Sequence, residues 1–264
     1  MQDPSKAAVT VVVPSFNQGH FLNEALESIF VQDVTVEVYV LDGGSTDNTL
    51  AVIKRWEASL AGWESGPDAG QSWAINEGIS RGQAPYVAWL NADDIYLPGG
   101  LRCLINALEQ HTDAPVAYGK AWTIDYSGRK IVPYVTAPFY PRLLANYCFI
   151  SQPATLVRRS AWEQINGVDE DLDMCMDYDL WWRLYRHAGK FIYVKKFIAG
   201  SRVHHETKTA SRRSDHYREA MQVVKRHVGY IPIKWYLSWP IMVSLKSCLY
   251  TLKQNLFKNP SKFK

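Results

Sequence analysis

Several common signatures of nucleotide-binding and metal-binding proteins are missing from this chain of 264 residues. Neither G-x-x-x-x-G-K-S/T nor G-x-G-x-x-G occurs, so neither a P-loop nor a dinucleotide fingerprint explains any phosphate site. The four cysteines lie far apart and form no C-x-x-C pair, which argues against a zinc knuckle and a dense disulfide framework. A reducing compartment fits best. Residues 1–8 lack the apolar centre of a signal peptide, so we expect a cytoplasmic protein.

Long hydrophobic runs are also absent. Hydrophobic residues make up 47% of the chain, which is enough for a large core and too much for a disordered polymer. A membrane-spanning helix needs about 20 consecutive apolar residues. In the C-terminal region every such window is interrupted by a proline or a lysine, namely Pro232, Lys234, Pro240, Lys246 and Lys253. The sequence therefore predicts no spanning helix there.

Acidic residues are scarce in the C-terminal quarter of the chain. Residues 201–264 hold 13 Lys and Arg but only three acids, whereas residues 1–200 hold 16 bases and 23 acids. The formal net charge of +3 thus hides an acidic body and a basic tail. Such a tail favours an anionic partner such as a phosphate, a nucleic acid or a membrane surface, with a solvated basic face as the alternative.

The first 110 residues read as a run of β-α units. Continuous β-branched and apolar segments at 8–14, 36–41 and 86–90 are typical of parallel strands buried on both faces. Apolar residues at helical spacing follow each strand. This pattern predicts an α/β fold, a mostly parallel sheet flanked by helices.

The second half mixes structure types. A hairpin is predicted at 116–135, strands at 154–157, 191–194 and 198–203, and helices at 160–165, 178–187 and 217–227. No linker divides the chain, so we predict one domain over 1–229, with halves at about 8–110 and 111–229.

Residues 230–264 predict an amphipathic C-terminal helical extension. Its apolar stripe is Ile241, Leu245, Cys248, Leu249, Leu252 and Leu256. We expect it either to lie on a membrane, with Trp235, Tyr236 and Trp239 at the headgroup level, or to pack back on the domain. In the first case the protein would work at the inner face of the cell membrane.

Asp93 and Asp94 directly follow a predicted strand. In an open parallel sheet, ligands bind at the carboxyl ends of the strands. Two adjacent carboxylates repel each other unless a cation or hydrogen-bond donors offset their charge. A divalent metal such as Mg²⁺ or Mn²⁺, bridging to a substrate diphosphate, would do so. The alternative is a turn that caps the next helix.

The chain resembles the family 2 glycosyltransferases with the GT-A fold over roughly residues 8–210. Five motifs in order carry this resemblance: VPSFN at 13–17, LDGGSTDNT at 41–49, PDAGQSWAINEG at 67–78, WLNADDIYLPGGL at 89–101 and MDYDLWWRL at 176–184.

The resemblance implies a nucleotide-sugar site. Pro14 and Asn17 match the loop that receives the nucleotide, and Asp42 matches the acid that holds its base, usually uracil. Asp68 and Gln71 match the loop that closes over it.

It also implies a metal site. Asn91-Ala92-Asp93 matches the D-x-D signature, with Asn91 in place of the first Asp and Asp93 as the metal ligand. His204 matches a further metal ligand and Lys208 a phosphate partner, although a single histidine is more often structural.

Asp177 is the candidate catalytic base. It matches the second residue of the family's E-D motif, with Met176 in place of the Glu. Inverting transfer needs a carboxylate that takes the proton of the acceptor hydroxyl. The alternative role for Asp177 is a helix cap.

The resemblance implies an inverting, metal-dependent glycosyltransferase that uses Mn²⁺ or Mg²⁺. Its donor would be a nucleotide diphosphate sugar, most often UDP-linked, and its acceptor a saccharide or lipid-linked saccharide, with no nucleic-acid partner. The alternatives are a non-catalytic sugar- or nucleotide-binding module and a sugar nucleotidyltransferase. The latter would need a Gly-rich basic loop, which residues 15–19 are not.

Overall fold

A computed structural model describes residues 7–204 and 207–245. Its strands are β1 (Val9–Ser15), β2 (Val36–Asp42), β3 (Gly62–Ser65), β4 (Tyr86–Trp89), β5 (Ile95–Tyr96), β6 (Val116–Ile124), β7 (Lys130–Pro133), β8 (Thr155–Arg158) and β9 (Ile192–Arg202). Its α-helices are α1 (Gly19–Phe30), α2 (Thr49–Trp56), α3 (Gln71–Arg81), α4 (Gly100–Gln110), α5 (Pro141–Leu144), α6 (Arg159–Gln164), α7 (Met176–Ala188), α8 (Lys208–Ser211), α9 (Arg213–Val228) and α10 (Ile233–Trp239).

The strands form one sheet in the order β3-β2-β1-β4-β8-β6-β9-β5, with β7 paired to β6. The pairs β1–β2, β2–β3, β1–β4 and β6–β9 are parallel, and β8, β7 and β5 add antiparallel pairs. The predicted α/β fold with a mostly parallel sheet and flanking helices is therefore confirmed. Because β2 lies on one side of β1 and β4 on the other, the strand order reverses at β1, where a crevice opens.

Strand β1 is buried along its whole length because helices cover both faces of the sheet. Val11 and Val13 pack into a cluster with α1 and α4, while Val12 points to the opposite cluster, which contains α3 and α7. Helix α3 approaches β1 closely at Gly78, where an added Cβ would lie 2.6 Å from a Val12 methyl group. This close packing holds α3 against β1.

The two strands predicted at 191–194 and 198–203 belong to the single strand β9, Ile192–Arg202. Lys195 and Lys196 are exposed and break the apolar pattern, but shifts in the register with β6 keep the backbone in the sheet. The short strands β3 and β5 were not predicted, since neither contains an apolar run.

The beginning of the C-terminal extension packs on the domain. Trp235 is buried between Tyr178 and Tyr217, and its indole N–H donates to the Ala145 carbonyl at 2.9 Å. The expectation that Trp235 lies at a membrane headgroup level is therefore wrong, because this side chain belongs to the core. Tyr236 is exposed. No helix within residues 7–204 and 207–245 is long and apolar enough to cross a membrane.

A π-helical turn at Pro240–Leu245 follows α10. The four stripe residues Cys248, Leu249, Leu252 and Leu256 lie outside the described residues.

A buried carboxylate joins α7 to α9. Asp179 accepts hydrogen bonds from Arg183 Nε at 2.6 Å and from His227 Nε2 at 2.7 Å. Burial alone would raise the pKa of Asp179, but these two hydrogen bonds outweigh it and hold the pKa below its usual range. The two helices that border the cavity described below are thus fixed to each other.

Replacing Asp179 by Ala should lower the free energy of unfolding by about 3–5 kcal/mol, because it removes the buried carboxylate that pairs with Arg183 and accepts the hydrogen bond of the buried His227 ring. Denaturant unfolding at pH 7 measures the loss. The control is Asp33→Ala, which removes an exposed pair with Arg102 at 3.8 Å and should cost less than about 1 kcal/mol. Equal losses of unfolding free energy in the two variants would contradict the role of Asp179 in joining α7 to α9.

Candidate active site

A cavity of about 1050 Å³ opens at the carboxyl ends of β1 and β4 and extends to the beginning of α7. Eight of the predicted site residues line it: Pro14, Asp68, Gln71, Asn91, Ala92, Asp93, Asp177 and Lys208. The sheet edge and α7 thus bring the proposed metal ligand and the proposed base into one cavity, although 84 positions of sequence separate them.

Three predicted site residues are not among those that line the cavity: His204, described below, and Asn17 and Asp42. Asn17 adopts a left-handed conformation (φ 54°) and accepts a hydrogen bond from the Thr46 N–H at 2.8 Å. Asp42 is buried and accepts hydrogen bonds from Ser45 N at 3.0 Å and Ser65 Oγ at 2.6 Å. Both side chains hold the loops after β1 and β2 in shape, and their contact with a nucleotide stays a prediction.

Asp68 lies across from the loop after β2. A Cβ added to Gly43 would lie 3.4 Å from the Asp68 carboxylate oxygens, so the two loops approach each other closely. Asp68 also accepts a hydrogen bond from the Gly70 N–H at 2.8 Å. The carboxylate is therefore held at the cavity wall on the same side as Gly43.

Asn91 connects α3 to the turn after β4. Its Oδ1 accepts a hydrogen bond from Gln71 Nε2 at 2.8 Å, and its Nδ2 donates to Asp94 Oδ2 at 3.4 Å. An ionised Asp at this position could not donate to Asp94. The Asn at the first position of the D-x-D motif therefore has a structural reason in this chain.

Asp93 and His204 are in direct contact, with 2.9 Å between His204 Nε2 and Asp93 Oδ2. The imidazole is buried, whereas the carboxylate is partly open to the cavity. Within the part of the chain that the structure covers, no group of three or more His, Cys, Asp or Glu side chains forms a complete metal site. One carboxylate and one imidazole fit a cation that takes its remaining ligands from water and a diphosphate.

Asp94 faces the protein interior. Burial, and then the charge of Asp93, raise its pKa well above the usual value, while the Arg202 N–H donates to Asp94 Oδ1 at 2.8 Å. The Arg202 guanidinium is also buried, and it donates to the Asp93 carbonyl at 2.7 Å and to Glu24 at 2.6 Å. The two adjacent acids thus have different partners.

Arg202 was not predicted as a site residue. The signal available in the sequence was a single arginine at the end of the small and apolar segment IAGSR.

Lys208 lies at the cavity wall but already has an anionic partner. Its ammonium group forms an ion pair with Asp173, which also accepts a hydrogen bond from Arg212 at 2.5 Å. Burial alone would raise the pKa of Asp173, but its bonds to these two cations lower it. A phosphate would have to compete with this carboxylate for Lys208.

Asp177 lies in the first turn of α7, and its Oδ1 accepts the Tyr178 N–H at 2.7 Å. The N-cap of α7 is Cys175 and no side chain caps the helix, so the helix-cap alternative does not hold for Asp177, whose carboxylate lies at the cavity wall. Burial raises the pKa of Asp177 to about 6, although the backbone hydrogen bonds oppose the shift. A carboxyl group with such a pKa is ionised at pH 7 and is more basic than an ordinary aspartate.

Known proteins resemble the chain in sequence. It is 25% identical to chondroitin synthase from Escherichia coli over 244 residues, which is 91% of this chain and 35% of that protein. It is 28% identical to hyaluronan synthase from Pasteurella multocida over 206 residues, which is 76% of this chain and 21% of that protein. The chain therefore spans only about a third or less of the length of these relatives.

Solved structures share the fold. S. aureus TarS 1–349 in complex with UDP-GlcNAc has a TM-score of 0.67 at 18% identity, covering 83% of this chain and 66% of that one. The mannosyltransferase PcManGT from Pyrobaculum calidifontis, in complex with GDP-Man and Mn²⁺, has a TM-score of 0.64 at 18% identity, covering 99% and 78%. At this identity the likeness shows the GT-A fold. The family model of glycosyl transferase family 2 matches residues 10–165, more than half of the chain, and the chain belongs to that family.

Proposed function

We propose that this chain transfers a sugar from a nucleotide diphosphate sugar to an acceptor hydroxyl, with inversion at the anomeric carbon. The observation that carries the proposal is the single cavity that holds Asp93, in contact with His204, and Asp177. Inverting transfer needs both parts, an anion-binding side for the leaving diphosphate and a base on the acceptor side. Membership of the family supports the same reaction.

The donor binds at the carboxyl ends of β1, β2 and β4 in this proposal. Pro14, Asp68, Gln71, Asn91 and Ala92 line that part of the cavity, and Asn17 and Asp42 support its loops. UDP is the proposed nucleotide. The TarS complex with UDP-GlcNAc supports it, while the PcManGT complex with GDP-Man makes a guanine nucleotide the alternative.

Asp93 and His204 would hold Mn²⁺ or Mg²⁺. A bound metal would offset the negative charge that grows on the diphosphate as it leaves. The contact between the two side chains, which directs a carboxylate oxygen and an imidazole nitrogen at each other, supports this role. The Mn²⁺ in the PcManGT complex is consistent with it.

Asp177 acts as the base. The acceptor oxygen attacks the anomeric carbon, the bond from that carbon to the diphosphate oxygen breaks, and the hydroxyl proton passes to the Asp177 carboxylate. The raised pKa of Asp177 suits this step, because the group is ionised at neutral pH but still binds a proton readily.

The acceptor in this proposal is a saccharide or a lipid-linked saccharide. The relatives named as chondroitin and hyaluronan synthases support a polysaccharide. Membrane contact through the C-terminal extension is part of the proposal, since Ile233 and Leu237 of α10 are more than 70% exposed and flank Lys234. Such a surface offers both apolar area and positive charge to an anionic bilayer.

Asp93→Asn should abolish metal-dependent donor binding, because an amide is a much poorer ligand for a hard cation than a carboxylate. UDP-GlcNAc with Mn²⁺ should raise the melting temperature of the wild type, and EDTA should cancel the rise. The control Asp33→Asn changes an exposed carboxylate outside the cavity and should behave like the wild type. Stabilisation of Asp93→Asn by Mn²⁺ and donor to the wild-type extent would refute the assignment of Asp93.

Asp177→Asn should lower the release of nucleoside diphosphate about 10²–10⁴-fold with donor binding retained, because the amide accepts no proton.

In the wild type Asp177 is protonated at low pH and cannot act as a base. The rate should therefore rise about tenfold per pH unit up to a pKa of about 6 and level off above it. Steady-state assays from pH 4.5 to 8.5 test both statements. Release of pyrophosphate instead of nucleoside diphosphate would indicate a nucleotidyltransferase, and binding without release a sugar-binding module.

Ile233→Ser combined with Leu237→Ser should weaken binding to vesicles that contain anionic lipid, because it removes exposed apolar area from α10. Sedimentation with vesicles of phosphatidylglycerol and phosphatidylcholine measures this binding. The control Ile131→Ser removes a comparably apolar side chain that is 55% exposed on β7. If the wild type does not sediment with these vesicles, membrane contact is wrong.

A further inference from the structure

The backbone that leads into Asp177 is held by a carboxylate from another helix. Glu219 of α9 accepts hydrogen bonds from the N–H groups of Met174 at 2.9 Å and of Cys175 at 2.8 Å. Cys175 is the residue that precedes the first turn of α7. Such N–H groups have no partner within the helix, so a carboxylate from outside satisfies them.

A second carboxylate serves the same end of α7, since Asp177 accepts the Tyr178 N–H. Asp177 and Glu219 thus bind N–H groups at the beginning of one helix, although they come from α7 and α9. The family motif has a Glu beside the base, and this chain has Met176 there. In this chain the acid that contacts the backbone before Asp177 is Glu219.

We propose that Glu219 is a positioning residue for Asp177, which fixes the backbone of residues 174–177 and places a second negative charge behind the Asp177 carboxylate. The inference rests on the proposed function, in which Asp177 is the base. Glu219 itself is not among the residues that line the cavity, so it acts through Asp177 rather than on a substrate.

The other ionisable groups around Asp177 do not supply an equivalent charge. Apart from Tyr217, whose hydroxyl donates to the Trp235 carbonyl at 3.0 Å, the titratable and charged side chains that border this end of the cavity are Tyr134, Tyr147, Cys148, Asp173, Cys175, Tyr178, Lys208, Arg213 and His216. Burial raises the pKa of the tyrosines and the two thiols and lowers the pKa of His216, so these groups are uncharged at pH 7.

The remaining three groups are charged. Asp173 is paired with Lys208, and Arg213 is a cation, which would lower the pKa of a nearby carboxyl group. Burial is the first cause of the raised pKa of Asp177, and the charge of Glu219 adds to it.

Glu219→Gln separates the charge from the hydrogen bonds, because Gln keeps an oxygen that can accept both N–H groups. The Asp177 titration midpoint should fall by about 0.5–1 pH unit as the neighbouring negative charge disappears. The acid limb of the pH-rate profile should move by the same amount. The control Glu109→Gln, an exposed glutamate on α4, should leave the midpoint unchanged.

The midpoint can be read without any substrate. In protein labelled with [γ-¹³C]aspartate, the Asp177 carboxyl signal is assigned by its loss in Asp177→Asn and followed by NMR from pH 3 to 9. The pH-rate profile comes from UDP release with UDP-GlcNAc as the donor. An unchanged or higher midpoint in Glu219→Gln overturns the proposal.

Glu219→Asp provides a second test that keeps the charge and shortens the side chain. Its midpoint should stay within about 0.3 pH unit of the wild type, while the rate on the pH plateau falls because the backbone contacts lengthen. A shift as large as that of Glu219→Gln would show that the charge is not the cause. Failure of the proposed function is distinct from both results, since Asp177→Asn would then release UDP at the wild-type rate.

Discussion

The sheet-edge side of the cavity depends on the hydrogen bonds of the buried residue Arg202. The Arg202 guanidinium joins the end of β9 to Glu24 of α1 and to the Asp93 carbonyl, and the Arg202 backbone N–H donates to the Asp94 carboxylate. Two adjacent acids at the end of a strand would otherwise repel each other in a region with little solvent. Because Asp94 is satisfied inside the protein, Asp93 is left to face the cavity and His204. Arg202 therefore holds the Asp94 side chain through its backbone N–H and the Asp93 backbone through its guanidinium, which leaves the Asp93 carboxylate at the cavity.

The α7 side of the cavity is organised in the opposite way. At the beginning of α7, Glu219 accepts the N–H groups of Met174 and Cys175 and Asp177 accepts that of Tyr178, while the surrounding thiols and phenols are neutral. Backbone dipoles stabilise a carboxylate less than a full positive charge does, so burial dominates and raises the pKa of Asp177 to about 6. The same residue type thus serves two chemistries in one cavity, as a candidate metal ligand beside an imidazole and as a candidate base in a region without a paired cation.

The motif residues show how far sequence reasoning reaches at a site. Asn91 and Asp93 line the cavity, in keeping with their place after a predicted strand, and so does Asp177, which the family resemblance singled out. Asp42 ends β2 at the same edge of the sheet, yet its oxygens accept hydrogen bonds from Ser45 in the following loop and from Ser65 at the end of β3. Position along a strand predicts which residues come to the sheet edge, but the direction of each side chain depends on which donors the neighbouring loops bring to it.

The sequence by itself determined the β-α order, the parallel strands at 8–14, 36–41 and 86–90 and the edge at which their ends meet, because apolar periodicity is a local property of the chain. Only the tertiary structure decided that β9 continues through its exposed lysines, that Trp235 belongs to the core, and that Arg202 and Glu219 support the site. Glu24 and Arg202 lie 178 positions apart, and Cys175 and Glu219 lie 44 apart. Contacts over such separations exist only once the sheet and helices have packed, so no local pattern carries them.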